Sequence, residues 1–255
     1  MAKQSKYYDV DGRSVPRVTS ILNLIAKPQL PPWMVKVDVE NLAKRIIEDD
    51  FWVVADLPEM VKAAKREHVR LRNEAAAIGT QFHAMAENYV RTRAIPDPGS
   101  FSELPGEIQR MWPGFIRFMD DWKVQPVGEP ESFVYDPHTR RPYGGVLDLP
   151  ALVTPPKKEK PRFVILDYKT SSEIWPIHII QAAAYFYAYE ISYPDAIKKH
   201  GPLKGCVIAR FDKAGVEEIK YYPRGAMRHN YRIFKCYAEA WHLNNNGDSS
   251  GDEEE

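Results

Sequence analysis

Two short apolar runs that each end in an aspartate constrain this 255-residue chain more than any other feature. The first is Tyr143-Gly144-Gly145-Val146-Leu147-Asp148, and the second is Arg162-Phe163-Val164-Ile165-Leu166-Asp167-Tyr168-Lys169-Thr170. Both read as strands that carry a carboxylate to their ends. Strand side chains alternate, so Asp167 and Lys169 leave the second strand on the same side. Two carboxylates on neighbouring strands suit a hard divalent cation such as magnesium, which takes oxygen ligands and keeps positions for water and a substrate phosphate. Any fold of this chain has to bring those two strand ends together.

Other properties bound the setting. The 35 basic and 35 acidic residues balance to a formal charge of zero, so a nucleic-acid partner would have to meet a local basic surface. No apolar run approaches the roughly 20 residues of a membrane helix, and Met-Ala-Lys-Gln-Ser-Lys lacks the apolar core of a signal peptide. An intracellular, cytoplasmic protein is expected. Cys206 and Cys236, the two cysteines, are expected as buried free thiols.

Along the chain, Asp11-Gly12 reads as the turn of a hairpin between Tyr7 and Pro16, followed by a short hydroxyl-capped helix from Val18 that Lys27-Pro28 and Pro31-Pro32 break. Helices are expected at Trp33–Ile47, Leu57–Asn73, Glu74–Ala94 and Leu104–Trp122, the last carrying Pro113. The second of these bears Lys62, Lys65, Arg66, His68, Arg70 and Arg72, a solvated face or a track for phosphates. Pro96 to Gly99 reads as a loop. A strand-rich region then runs over 127–222: strands at Val127–Tyr135 and through the two acid-tipped runs, a turn at Asp136–Pro142, and an antiparallel pair at Gly205–Phe211 and Val216–Tyr222. A helix over about Ile177–Ile191, capped by Ser171 or Ser172, interrupts it, and a helix at Met227–Leu243 closes the chain. Residues 1–243 are read as one domain. Residues 244–255 are too polar and acidic to pack and are expected to be disordered.

The chemistry-bearing residues fall in a definite order. Gly79-Thr80-Gln81-Phe82-His83 lies on a helix, and Glu87 shares its face one turn further on. Gly145-Val146-Leu147-Asp148 and Asp167-Tyr168-Lys169 follow, and then Gln181-Ala182-Ala183-Ala184-Tyr185 on another helix. In this order they resemble the RecB-type exonuclease branch of the PD-(D/E)XK nuclease superfamily, whose pattern is Gly-Thr-x-x-His, Gly-x-x-Asp, Asp-x-Lys and Gln-x-x-x-Tyr. Pro16-Arg17-Val18-Thr19-Ser20-Ile21-Leu22 extends the resemblance to roughly Tyr8–Leu243. Relatives with an iron–sulfur cluster carry four cysteines; with two, this chain is expected to hold none. In the branch a proline often precedes the first aspartate, where Leu147 stands here.

The resemblance implies a restriction-endonuclease-like α/β (α+β) core, a central mixed sheet flanked by helices, with an N-terminal helical addition. It implies Mg²⁺ or Mn²⁺, one ion or two, held by His83, Asp148, Asp167 and the main-chain carbonyl of Tyr168, with Glu87 and Glu131 as further candidates. Lys169 would orient or help deprotonate the attacking water, or act purely by its charge. Gln181 would bond near the lysine or the substrate backbone, and Tyr185 would brace the helix or touch DNA. The implied activity is exonucleolytic cleavage of single-stranded or end-bearing DNA in recombination, repair or phage replication. The alternatives are an endonuclease of the same fold and a non-catalytic DNA-binding protein. A zinc hydrolase built on His83 and Glu87 lacks a second suitably spaced histidine.

Overall fold

The computed structural model describes residues 5–25, 30–48, 61 and 67–246. Asp11 and Gly12 take φ of 51° and 75°, the positive values a tight hairpin turn requires, and join β1 (Tyr7–Val10) to β2 (Arg13–Pro16) as expected. α1 (Val18–Leu22) follows with Arg17 at its N-cap, but no side chain caps it, contrary to the hydroxyl cap anticipated.

The central sheet has five strands in the order β3 (Gln125–Pro126), β6 (Leu149–Val153), β7 (Arg162–Lys169), β8 (Gly205–Phe211) and β9 (Glu217–Pro223). It is mixed: β7 and β8 run parallel, and the other pairs are antiparallel. The parallel pair needs a crossover, which α6 (Pro176–Ser192) and α7 (Pro194–His200) supply. A separate two-stranded sheet pairs β4 (Ser132–Asp136) with β5 (Tyr143–Leu147) around the turn expected at 136–142. Of the single strand anticipated over Val127–Tyr135, only Ser132–Tyr135 is extended, as part of β4, and the strand before it, β3, ends at Pro126 in the other sheet. Glu131, with φ of 53°, stands between them in a conformation that a continuous strand cannot hold.

Alternation along β7 sorts its side chains. Phe163 and Ile165 enter a core shared with α1, α6 and α8 (Arg224–Asn246), where Ala182, Ala183, Ala184, Phe186 and Ala188 are fully buried. Tyr168 faces the opposite layer and meets Phe115 of α5 (Gly106–Asp121) edge to face, with ring centroids 5.4 Å apart. There Phe82, Phe115, Phe118 and Phe211 are buried, each contributing about 1.5–3 kcal/mol of transfer free energy. Asp167 and Lys169 continue the Phe163–Ile165 row and so point toward α6.

Several boundaries differ from expectation. The helices anticipated at 57–73 and 74–94 form, over the described residues, one helix, α3 (Glu67–Thr92), without a break at Asn73. α2 runs Leu30–Glu48, with Pro31 and Pro32 in its first turn, where the missing N–H groups cost nothing. The loop expected at 96–99 is partly α4 (Pro98–Ser102), whose N-cap Asp97 accepts from the N–H groups of Gly99 and Ser100. α5 continues through Pro113. α6 is capped not by Ser171 or Ser172 but at Trp175, whose N–H donates to His178 Nδ1 at 3.2 Å. Asn244, Asn245 and Asn246 extend α8; the rest of the expected tail lies outside the described residues. Both cysteines are free, but Cys236 is exposed rather than buried.

The chain groups into two units: residues 1–25 with 82–255, and residues 26–81. In the second, Asp38 accepts from the His68 backbone N–H at 3.2 Å, and its Oδ2 meets His68 Nδ1 at 2.9 Å. No helix among the described residues is long and apolar enough to cross a membrane.

Candidate metal centre

Asp148 sits where the chain passes from the two-stranded sheet to the five-stranded one. β5 ends at Leu147, opposite Ser132, and β6 begins at Leu149, opposite Leu166. One step along each register sets Glu131 across from Asp148 on one side and Asp167 on the other. The first relation is closed by the Glu131 N–H donating to the Asp148 carbonyl at 2.9 Å. On the other side, the Tyr168 N–H donates to Asp148 Oδ2 at 2.5 Å.

His83 reaches this corner from α3. Its Nδ1 is 3.3 Å from Asp148 Oδ1 and 3.9 Å from Glu131 Oε1. One donor atom from each of His83, Glu131 and Asp148 lies within 4.8 Å of the others, a nitrogen and two carboxylate oxygens in reach of a single cation. Asp167 is not in that set. Its Oδ2 faces Lys169 Nζ at 2.6 Å. At that distance the ammonium and the buried carboxylate form a charge-assisted hydrogen bond. A buried carboxylate beside the His83, Glu131 and Asp148 donors suits a hard cation.

The charges are strongly interdependent. Burial pushes the Asp167 carboxyl up, with Lys169 opposing and Asp148 adding to the rise, and it settles at about 6. Burial also disfavours ionised Asp148, but His83, Lys169 and the Tyr168 N–H outweigh it and hold that carboxyl below its ordinary value. His83 loses solvation, yet Asp148 and Glu131 lift its imidazole to about 10. Lys169 is likewise raised, because Asp167 and Asp148 outweigh its burial. Without a metal, the corner is therefore a cluster of three carboxyl groups offset in part by one imidazolium and one ammonium.

The remaining site residues of the sequence reading fall as follows. Gln181 Nε2 donates to the Tyr185 hydroxyl at 3.0 Å, one turn along α6. Tyr185 is buried, and its ring covers Gly145 so closely that a Cβ there would lie 2.4 Å from Cε1. The glycine of Gly-x-x-Asp and the tyrosine of Gln-x-x-x-Tyr are thus one contact, and Tyr185 is a brace between α6 and β5. Glu87 is not in the donor set: its carboxylate pairs with Arg91 at 3.1 Å. Arg70 spends its guanidinium on Glu67 and Glu74, whereas Arg72 is exposed; Lys62, Lys65 and Arg66 lie outside the described residues. Glu131 entered the sequence reading only as a further candidate, because its place depends on long-range register rather than a local motif.

No protein-family model matches the chain, and no curated protein is significantly similar to it.

Proposed function

We propose that the chain is a metal-dependent deoxyribonuclease with a restriction-endonuclease-like core, acting on single-stranded or end-bearing DNA as an exonuclease. The observation that supports it most is the convergence of His83, Glu131 and Asp148 on one corner of a mixed sheet, with the buried Asp167–Lys169 pair on the adjoining strand. Acids, an imidazole and a lysine so arranged, with pKa values shifted by burial and by one another, suit phosphodiester hydrolysis.

The residues that would hold Mg²⁺ or Mn²⁺ are His83, Glu131 and Asp148, with Asp167 and the Tyr168 carbonyl beside them. Such an ion lowers the pKa of a bound water and neutralises charge on a phosphate. Lys169, anchored by Asp167, keeps its ammonium at the corner, where it orients a water or offsets phosphate charge. Gln181 is tied to Tyr185 and sets the wall of the corner formed by α6. His83, held as an imidazolium by Asp148 and Glu131, would have to give up that proton to serve as a ligand.

The test compares end-labelled linear with circular single-stranded DNA in Mg²⁺ or Mn²⁺, with EDTA and Lys169→Ala as controls. Degradation of the linear substrate alone, abolished by both controls, is expected. Equal cutting of circles would remove the exonuclease reading, and activity surviving Lys169→Ala would remove the assigned site.

A further inference from the structure

Among the described residues, Arg17 has no carboxylate partner. Its guanidinium lies over the Tyr8 ring, 4.1 Å from the centroid, with Nη1 3.5 Å from the Tyr8 hydroxyl and Nε buried without an acceptor. Its backbone, by contrast, is fixed. The Arg17 N–H donates to the Lys6 carbonyl at 3.0 Å, its carbonyl accepts from Ser20 and Ile21, and the residue bridges to Gly144 of β5. A guanidinium on a held backbone, with no carboxylate partner, is suited to an oxyanion such as phosphate.

An aromatic surface adjoins it. Tyr8 meets Phe133 edge to face, with centroids 5.0 Å apart at 73°. Phe133 is 37% exposed, and its ring rests on Gly144, where a Cβ would come within 3.2 Å. Phe133 follows Glu131 by two residues, so the ring and the candidate ligand belong to the same stretch of chain. Electrostatics place the groups in one neighbourhood: burial lifts the Tyr8 hydroxyl above its ordinary range, Arg17 lowers it and Glu131 raises it.

We infer that Arg17, Tyr8 and Phe133 form a grip for one nucleotide unit of single-stranded nucleic acid beside the His83–Glu131–Asp148 corner. Arg17 takes a phosphate, and Phe133, backed by Tyr8, offers the base a stacking face. Stacking of this kind needs an unpaired base, which selects single strands over duplex. The grip rests on the nuclease reading for its position along the strand, though not for its chemistry.

The test is fluorescence anisotropy of a labelled oligothymidylate of about 20 nucleotides, with a duplex of equal length, across a salt series in chelator. The full chain is compared with Arg17→Ala, Arg17→Gln and Phe133→Ala, each checked for native circular dichroism. Both Arg17 variants should weaken single-strand binding about tenfold and reduce the salt slope by about 0.7, the share of one single-strand phosphate. Phe133→Ala should weaken binding about fivefold or more with the slope unchanged. Native-like Arg17 variants with unaltered affinity and slope, or a wild-type preference for duplex, overturn the grip. Cleavage assays in Mn²⁺ separate the two readings. A wild type that binds as expected but never cuts leaves the grip and removes the nuclease, whereas undiminished cutting and binding by the Arg17 variants do the reverse.

Discussion

Replacing Gly145 with alanine tests the contact that ties the first carboxylate strand to α6. An added Cβ would lie 2.4 Å from Tyr185 Cε1 and 3.2 Å from Cδ1 and Cζ. The ring cannot swing away, because Tyr185 is 4% exposed on a helix whose neighbours Ala182, Ala183, Ala184 and Ala188 are fully buried. In an open strand position alanine gains about 0.5–1 kcal/mol over glycine from chain entropy, so any net loss reports the clash. Overpacking of this kind costs about 1–3 kcal/mol, a fall in midpoint temperature of about 2–12 °C for a chain of this size. Thermal and denaturant unfolding of Gly145→Ala, Tyr185→Ala and the double variant measure it. Tyr185→Ala alone should cost about 3–5 kcal/mol through the cavity it leaves. The double variant should then be no less stable than Tyr185→Ala, giving a coupling of about 1–3 kcal/mol. Additive losses, or a neutral Gly145→Ala, would refute the argument.

Glu131→Gly should stabilise the metal-free fold by about 1 kcal/mol, since glycine holds a φ of 53° without strain, while weakening Mn²⁺ binding in a calorimetric titration by about tenfold or more. Tighter binding or a large loss of stability would contradict the assigned donor. Asp212 sits in the β8–β9 turn. Burial raises its carboxyl, but the N–H groups of Val216 and Ala214 and the Arg210 guanidinium hold it below 3.8 overall. Its stabilisation is therefore present above 3.8 and lost as pH falls through the depressed folded value. Denaturant midpoints of Asp212→Asn should change less between pH 5 and pH 3 than those of the wild type; equal slopes would dismiss the turn as a source of acid sensitivity. A thiol reagent should titrate Cys236 alone in the native protein and both cysteines in denaturant, because Cys206 is buried and its thiol is pushed well above its ordinary value. Two fast thiols in native buffer would count against the burial of β8.

Much of the corner was readable because it is carried by local patterns. Asp167-x-Lys169 needs only strand alternation, and the Asp11-Gly12 and Lys213–Gly215 turns announce their own hairpins. Glu131 was not readable in the same way. Nothing near it in sequence signals a positive φ, and its position follows from β4 pairing with β5. Arg17 was legible only as part of the Pro16–Leu22 segment; its contacts with Tyr8 and Gly144 depend on long-range packing. The break expected at Asn73 does not form: α3 runs without interruption from Glu67 to Thr92. The start of α6 falls within a residue of expectation, but its cap does not: Ser171 gives its hydroxyl to the Glu173 carbonyl, and His178 Nδ1 accepts from the Trp175 N–H.

The change of strand partner at Asp148 carries a consequence for assembly. A chain that has built only the β6–β7–β8 ladder already holds Asp148 beside Asp167, but lacks Glu131 until β4 zips onto β5. In the proposed enzyme, cation capture by His83, Glu131, Asp148 and Asp167 together would therefore require both sheets to be complete, and ion occupancy would report the later of them to form.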